Sequence, residues 1–124
     1  MVTNEPGAPA PAKTAARILG ERGEDTVAAW YLRAGYQILD RNWRCREGEL
    51  DIVAGDDQTI VFCEVKSRAT DRFVDPALAV DRRKQQRLRR AALRWLEHQP
   101  FRQRLRFDVA LVISGRIRII EDAF

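Results

Sequence analysis

A chain of 124 residues, 45% hydrophobic and 32% charged, is long enough to bury one core and too short for two. No apolar run approaches membrane-spanning length, and no apolar segment of a secretory signal opens the chain, so the expectation is a cytoplasmic protein with no membrane partner. The formal charge of +4 is unevenly spread: Arg82 to Arg106 carries ten Lys or Arg against one acid, Glu97, a local +9 that leaves −5 for the rest. One basic element and one acidic site is the division expected of a protein that holds a polyanion beside a bound metal.

Met1 to Lys13 holds three of the five prolines and almost nothing to bury, and reads as a disordered tail ahead of a single domain over residues 14–124. Thr14 to Ala34 is built of helix formers with Gly35 at the stop position, and Val27, Ala28, Tyr31 and Leu32 form its apolar stripe. Glu24 lies one turn before Ala28 on that stripe. Gly20 and Gly23 close to it each cost about 1 kcal/mol of helix stability relative to Ala, which points to close approach of a backbone or ligand. The bland reading of Glu24 is a cap or an arginine partner. Tyr36 to Leu39 is a short strand that Arg41 to Arg46 continues or loops away from. Trp43, between Arg41 and Arg44, is either a base-stacking platform or core, and a lone Trp beside a strand is more often core.

The densest stretch is Gly48 to Lys66. Two apolar runs, Leu50 to Ala54 and Thr59 to Val65, flank a polar turn, which is the pattern of a hairpin. With Asp56 and Asp57 as the two-residue turn, Gly55 pairs with Gln58, Asp51 falls opposite Phe62 and Glu49 opposite Glu64. Period-2 alternation then puts Glu49, Asp51, Glu64 and Lys66 on one face. The hairpin is apolar on both faces, so it belongs inside the domain, covered from each side. Carboxylates converging on an apolar surface resist ionisation unless a cation sits among them, and a divalent metal and the Lys66 ammonium are the natural candidates.

Beyond Lys66 the stretch Ser67 to Asp75 is polar and irregular, with Arg68 and Arg72 available for phosphates, and Pro76 to Val80 makes or approaches a turn of helix. Asp81 is the expected N-cap of a helix over Arg82 to His98, with Leu88, Ala91, Ala92, Trp95 and Leu96 as the buried stripe. Its other faces carry Arg82, Arg83, Lys84, Arg87, Arg89, Arg90 and Arg94 without an interspersed acid, too many to be explained by i,i+4 pairing, so phosphate contact is expected. Leu105 to Ile113 and Arg116 to Ile120 form a second strand pair around Ser114 and Gly115. Asp108, inside the first of these, reads more readily as a partner for an arginine of the basic helix or as a backbone cap than as a catalytic acid. The order is helix, three strands, helix, two strands: an α/β domain with a mixed sheet.

Several chemistries lack parts. One histidine, His98, rules out two-histidine acid–base cleavage. No Gly-rich phosphate loop supports a nucleotide cofactor, and Ser67 and Ser114 have no nucleophile elbow around them. Cys45 and Cys63 are too few and too far apart for a zinc pattern and are expected as free thiols. Metal-assisted hydrolysis remains. Mg²⁺ or Mn²⁺ needs only one or two carboxylates plus substrate phosphate; Asp51 and Glu64 can supply these, with the Val65 carbonyl as a further oxygen. Lys66 could orient the water and neutralise charge on the phosphate, and Glu24 and Glu49 hold metal-bound waters or a second ion.

Asp51 followed by Glu64-Val65-Lys66 resembles the PD-(D/E)XK nuclease motif, with Leu50 in place of the eponymous proline. More closely, Gly20, Gly23-Glu24, Asn42-Trp43-Arg44, Gly48-Glu49-Leu50-Asp51, Phe62 to Lys66 and Arg106 to Val109 resemble the YraN family of bacterial proteins, from about residue 17 to the C-terminus. The resemblance implies a restriction-endonuclease-like fold related to archaeal Holliday-junction resolvases, with a five-stranded mixed sheet flanked by helices. It implies metal-dependent cleavage of DNA, branched or otherwise non-canonical DNA included, by Asp51 and Glu64 as ligands, Lys66 as catalytic lysine and Glu24 as the added helix carboxylate. Arg44, Arg68, Arg72, Arg82, Arg83, Lys84, Arg87 and Arg90 are the expected nucleic-acid contacts. Junction resolution needs two symmetric nicks and so implies a homodimer. The competing readings are a catalytically silent nucleic-acid-binding module and an interaction protein whose basic helix meets an acidic protein surface.

Overall fold

The computed structural model describes residues 14–69 and 80–124. The expected tail over Met1 to Lys13, Arg72, most of the loop after Ala69 and most of the turn expected over Pro76 to Val80 lie outside these residues. The elements are α1 (Ala15–Arg33), β1 (Gln37–Cys45), β2 (Gly48–Gly55), β3 (Thr59–Arg68), α2 (Arg82–Leu96), β4 (Arg104–Ile113) and β5 (Arg116–Ile120). The strands form one sheet in the order β1-β2-β3-β4-β5. All neighbours are antiparallel except β3 and β4, which run parallel because α2 carries the chain back between them. This is the α/β order expected of a restriction-endonuclease-like core.

The helices cover opposite faces of the sheet. Val27, Ala28 and Tyr31 of α1 pack on Ile52, Ala54, Val61, Cys63, Ala110 and Val112. On the other side, Leu88, Ala91, Ala92, Trp95 and Leu96 of α2 pack on Leu50, Val53, Ile60, Phe62 and Phe107. With a layer on each side, β3 is buried from Ile60 through Glu64, which is why its sequence is apolar at both parities. Trp43 packs against the α2-side core, so its core reading holds.

Asp81 caps α2, its side chain accepting from the Lys84 N–H at 2.8 Å, and Thr14 does the same for α1 from the Arg17 N–H at 3.2 Å. The α2 helix ends at Leu96 rather than His98. The α1 stripe is narrower than expected: the buried line runs Gly23, Val27, Tyr31, and Leu32, on the neighbouring row at the last turn, is 56% exposed. The glycines also divide. A Cβ at Gly23 would overlap Ser67 Oγ and lie 3.1 Å from Ser67 Cβ, whereas nothing lies within 4 Å of one at Gly20. Gly20→Ala is therefore expected to stabilise the protein by about 0.5–1 kcal/mol through helix propensity. Gly23→Ala should destabilise it, because overpacking costs roughly 1–3 kcal/mol and exceeds that gain. Urea denaturation of the two variants checks this, and equal midpoints would refute the close contact of α1 with β3.

The hairpin register differs from the expected one. The two-residue turn is Asp57-Gln58, one residue later, because the Asp56 side chain accepts from the Gln58 and Thr59 N–H groups at 2.9 and 2.8 Å while the Asp56 N–H donates to the Thr59 carbonyl at 2.9 Å. Gly55 pairs with Ile60 and Val53 with Phe62. The slip is two residues, so Ile52 to Ala54 and Ile60 to Glu64 keep their faces; nearer the start of β2 the alternation breaks, and Leu50 packs on the α2 side with Val53. What changes is the alignment along the strands: the β2–β3 ladder runs out at Ile52 and Cys63, and the next residues in step are Asp51 and Glu64.

Candidate metal and nucleic-acid site

Where β2 and β3 part, the β2 side of the β3 backbone loses its strand partner while β4 stays paired on the other, and a side chain takes the place of β2: the Asp51 carboxylate accepts from the Val65 N–H at 2.9 Å. The Asp51 side chain is thereby locked beside Glu64. Glu64 is 6% exposed, and its Oε1 receives two ammonium groups, Lys84 at 2.6 Å and Lys66 at 3.5 Å. Lys66 comes from the same strand two residues on, whereas Lys84 reaches down from the first turn of α2. Between the helix and the strand ends lies a cleft of about 360 Å³. Glu49, Asp51 and Glu64 line its floor; Asp81, Arg83, Lys84 and Arg87 line the helix side.

The electrostatics follow from this geometry. Burial, and then the neighbouring Glu64 charge, push the Asp51 carboxyl up to about 7, against the pull of the Val65 N–H. Burial, with the hydrogen-bonded Lys84 beside it, lowers the Lys66 ammonium from its ordinary value, although Glu64 opposes this. Burial acts on Lys84 in the same sense, but its contact with Glu64 outweighs that and the net shift is upward. An Asp raised in the folded state stabilises the fold when protonated: its contribution is fully present below the unfolded carboxyl value of about 4 and is lost as pH rises through about 7. In chelator, therefore, the melting temperature of the native protein should fall relative to that of Asp51→Asn between pH 4 and pH 8. Parallel melting curves for the two proteins across that range would refute the strained Asp51.

Glu24 stands at the edge of this group. Burial raises its carboxyl, with the Asn42 side chain hydrogen-bonded to it in opposition, and Oε1 is buried with no partner. It forms no ion pair with an arginine among the described residues; Arg41, whose charge opposes the rise, is held by Asp25 at 2.7 Å. Among the described residues no three His, Cys, Asp or Glu side chains are grouped closely enough to hold an ion unaided. The converging pair is Asp51 with Glu64; Glu24 and Glu49 flank it.

The expected phosphate contacts separate in the same way. Arg83, Lys84 and Arg87 line the cleft, while Arg82 and Arg90 are exposed on α2 outside its lining. Arg44 lies across β1–β2 from Glu49, 3.7 Å from its carboxylate, and Arg68 turns back to the Ser67 carbonyl at 2.8 Å. Two further cations of α2 have structural work: Arg89 stacks over Phe107 and Phe124 at 5.0 and 5.4 Å, and Arg94 pairs with Glu47 at 2.9 Å. Sequence reasoning placed Lys84 among the DNA contacts and missed its bond to Glu64. The one signal was its position: the third residue of a helix, where an acid is favoured, carries a cation.

Asp108 is fully buried on neither wall of the cleft. It partners Arg106 of its own strand, the Tyr31 hydroxyl and the Asp122 N–H, rather than an arginine of the basic helix. Cys45 and Cys63 are free thiols. No helix among the described residues is long and apolar enough to cross a membrane.

Compared with known proteins, residues 23–112 match the family described as "Uncharacterised protein family UPF0102". A UPF0102 protein of Frankia casuarinae is 54% identical over 105 residues, covering 82% of this chain and 89% of the relative. One from Geobacter sulfurreducens is 46% identical over 114 residues, 87% and 89% of the two chains, and one from Nocardia farcinica is 50% identical over 99 residues, 78% and 77%.

Proposed function

The chain belongs to UPF0102, the YraN-like family, and from that membership together with the cleft beneath α2 we propose that it is a divalent-metal-dependent endonuclease hydrolysing DNA phosphodiesters, branched DNA among its substrates. The observation that carries the reading is the juxtaposition of two carboxylates and a lysine at the parting of two strands with a helix N-terminus rich in cations. Asp51 and Glu64, with the Val65 carbonyl, would hold Mg²⁺ or Mn²⁺. Their chemistry fits: oxygen donors on a rigid strand pair, one of them raised to about 7 by burial and by the neighbouring Glu64 charge, with water and substrate phosphate completing the set. When bound, such a cation supplies charge against the phosphate oxygens and makes water a better nucleophile.

The chain's own residues do the rest. Arg83 and Arg87, on the helix side of the cleft, receive the phosphodiester anion. In hydrolysis the water oxygen bonds to phosphorus as it gives up a proton, the bond to the leaving sugar oxygen breaks, and that oxygen takes up a proton, so the net change is one proton passed from the water to the leaving group. Lys66, whose proton burial and Lys84 loosen, is suited to exchange a proton at one of these oxygens. Asp51 orients itself on the Val65 N–H and needs no rearrangement to act.

A second reading, a silent DNA-binding module in the same family, draws support from the Lys84–Glu64 ion pair, which occupies a ligand oxygen. The test is cleavage of linear, single-stranded and four-way-junction DNA with Mg²⁺ or Mn²⁺ by wild type, Asp51→Ala and Lys66→Ala. Cleavage by wild type alone supports the enzyme. Equal activity in all three refutes this site, and DNA binding with no cleavage by any of them supports the module.

A further inference from the structure

The charges gathered at Glu64 give Lys84 a role beyond phosphate contact. Two carboxylates, Asp51 and Glu64, face two ammonium groups, Lys66 and Lys84, so the group is near neutral as it stands. A divalent cation entering beside Glu64 would meet an ammonium already 2.6 Å from Oε1. A dication on Oε1 would stand beside that ammonium, and like charges so close repel, so the two compete for the same oxygen.

The two lysines are not equally able to leave. Lys66 is on β3 at 3.5 Å from Oε1 with its side chain 21% exposed; Lys84 is at the mouth, 39% exposed, on the first turn of α2 beside Arg83 and Arg87. A four-carbon stem lets its ammonium swing from the floor of the cleft to its helix side without backbone movement. Its placement is otherwise unfavourable. Arg82, Arg83 and Lys84 fill a first turn that contains no acid, against the helix dipole, and Asp81 alone offsets them.

We propose that Lys84 is a built-in counterion of the metal site: its ammonium holds the Glu64 carboxylate in the metal-free protein, competes with the divalent cation for it, and on displacement turns to the substrate phosphate. Lys84 is thus a positioning residue for Glu64 and a ligand for the substrate in turn, coupling the two occupancies. The inference rests on the metal-site reading above, and its test separates the two.

Binding of Mn²⁺ to the full chain without DNA, by calorimetry or by the loss of the free-ion resonance, is compared for wild type, Lys84→Gln and Lys84→Arg, with circular dichroism confirming the fold of each. Removing the competing charge is expected to tighten Mn²⁺ binding by about tenfold in Lys84→Gln and to leave Lys84→Arg near wild type. Affinity for uncleaved duplex DNA in Ca²⁺ should fall in Lys84→Gln by several-fold, on the order of one phosphate contact. Equal or weaker Mn²⁺ binding in Lys84→Gln overturns the counterion role while leaving the metal site standing. No Mn²⁺ binding by any of the three proteins overturns both.

Discussion

Asp51→Ala and Lys66→Ala are each expected to lower DNA cleavage by at least about a hundred- to a thousand-fold, the range seen when one preorganised charge is removed from a reacting centre. The two should differ in their side effects. Asp51→Ala frees the Val65 N–H that the carboxylate holds at 2.9 Å and removes one of the two carboxylates proposed to hold the cation, so cation binding should be lost along with turnover. Lys66→Ala leaves both carboxylates, so cation and DNA binding persist while the proton exchange assigned to Lys66 disappears. Because Asp51 is raised to about 7, binding of a cation by the pair must expel a proton at acid pH. Cation affinity in wild type should therefore climb with pH up to about 7 and then level off. Single-turnover cleavage and Mn²⁺ titration of the same protein samples check the assignment, and a Lys66→Ala protein that cleaves at the wild-type rate would sink it.

The largest stability loss is expected away from the cleft, at Asp108→Ala. Asp108 is 0% exposed and its carboxylate accepts four bonds: Tyr31 Oη at 2.6 Å, Arg106 Nε at 2.9 Å and Nη2 at 3.0 Å, and the Asp122 N–H at 3.0 Å. These tie α1 to the middle of β4 and hold the turn after β5. Truncation leaves the guanidinium, 15% exposed, with only the longer 3.9 Å contact to Glu121, and takes the carboxylate acceptor from the Tyr31 hydroxyl. Breaking such a pair from one side costs roughly 3–5 kcal/mol. Burial, followed by the neighbouring Cys63 and Asp108, pushes the Tyr31 hydroxyl far above its usual range, so the phenol cannot ionise to compensate. Asp108→Asn, which keeps the shape and part of the bonding, should lose less. Urea midpoints at unchanged slope give the values, and an Asp108→Ala protein within about 1 kcal/mol of wild type would show that the network carries little of the stability.

Much of the architecture is legible in residue order, because periodicity and caps are local properties. The α2 stripe, its Asp81 cap, the Ser114-Gly115 turn and the apolar doubling of β3 each follow from a few neighbours along the chain. The misreadings are also local in origin. Asp56 offers its side chain to the Gln58 and Thr59 N–H groups and moves the turn by one residue, a choice that Asp56-Asp57 does not announce. Leu32 lies on the marginal row of α1, and whether the sheet reaches that row depends on where the strands end.

By itself the sequence determined that Asp51, Glu64 and Lys66 share a face at one end of a buried hairpin, since period 2 survives a slip of two residues. It also determined that a cation-rich helix follows. The tertiary structure alone decided that Asp51 stands level with Glu64, that Gly23 and not Gly20 is pressed by β3, and that Lys84 reaches the Glu64 carboxylate at 2.6 Å. Each of these is a contact between elements, set by how far two strands stay paired and how a helix crosses them, and no pattern within a single element encodes that distance.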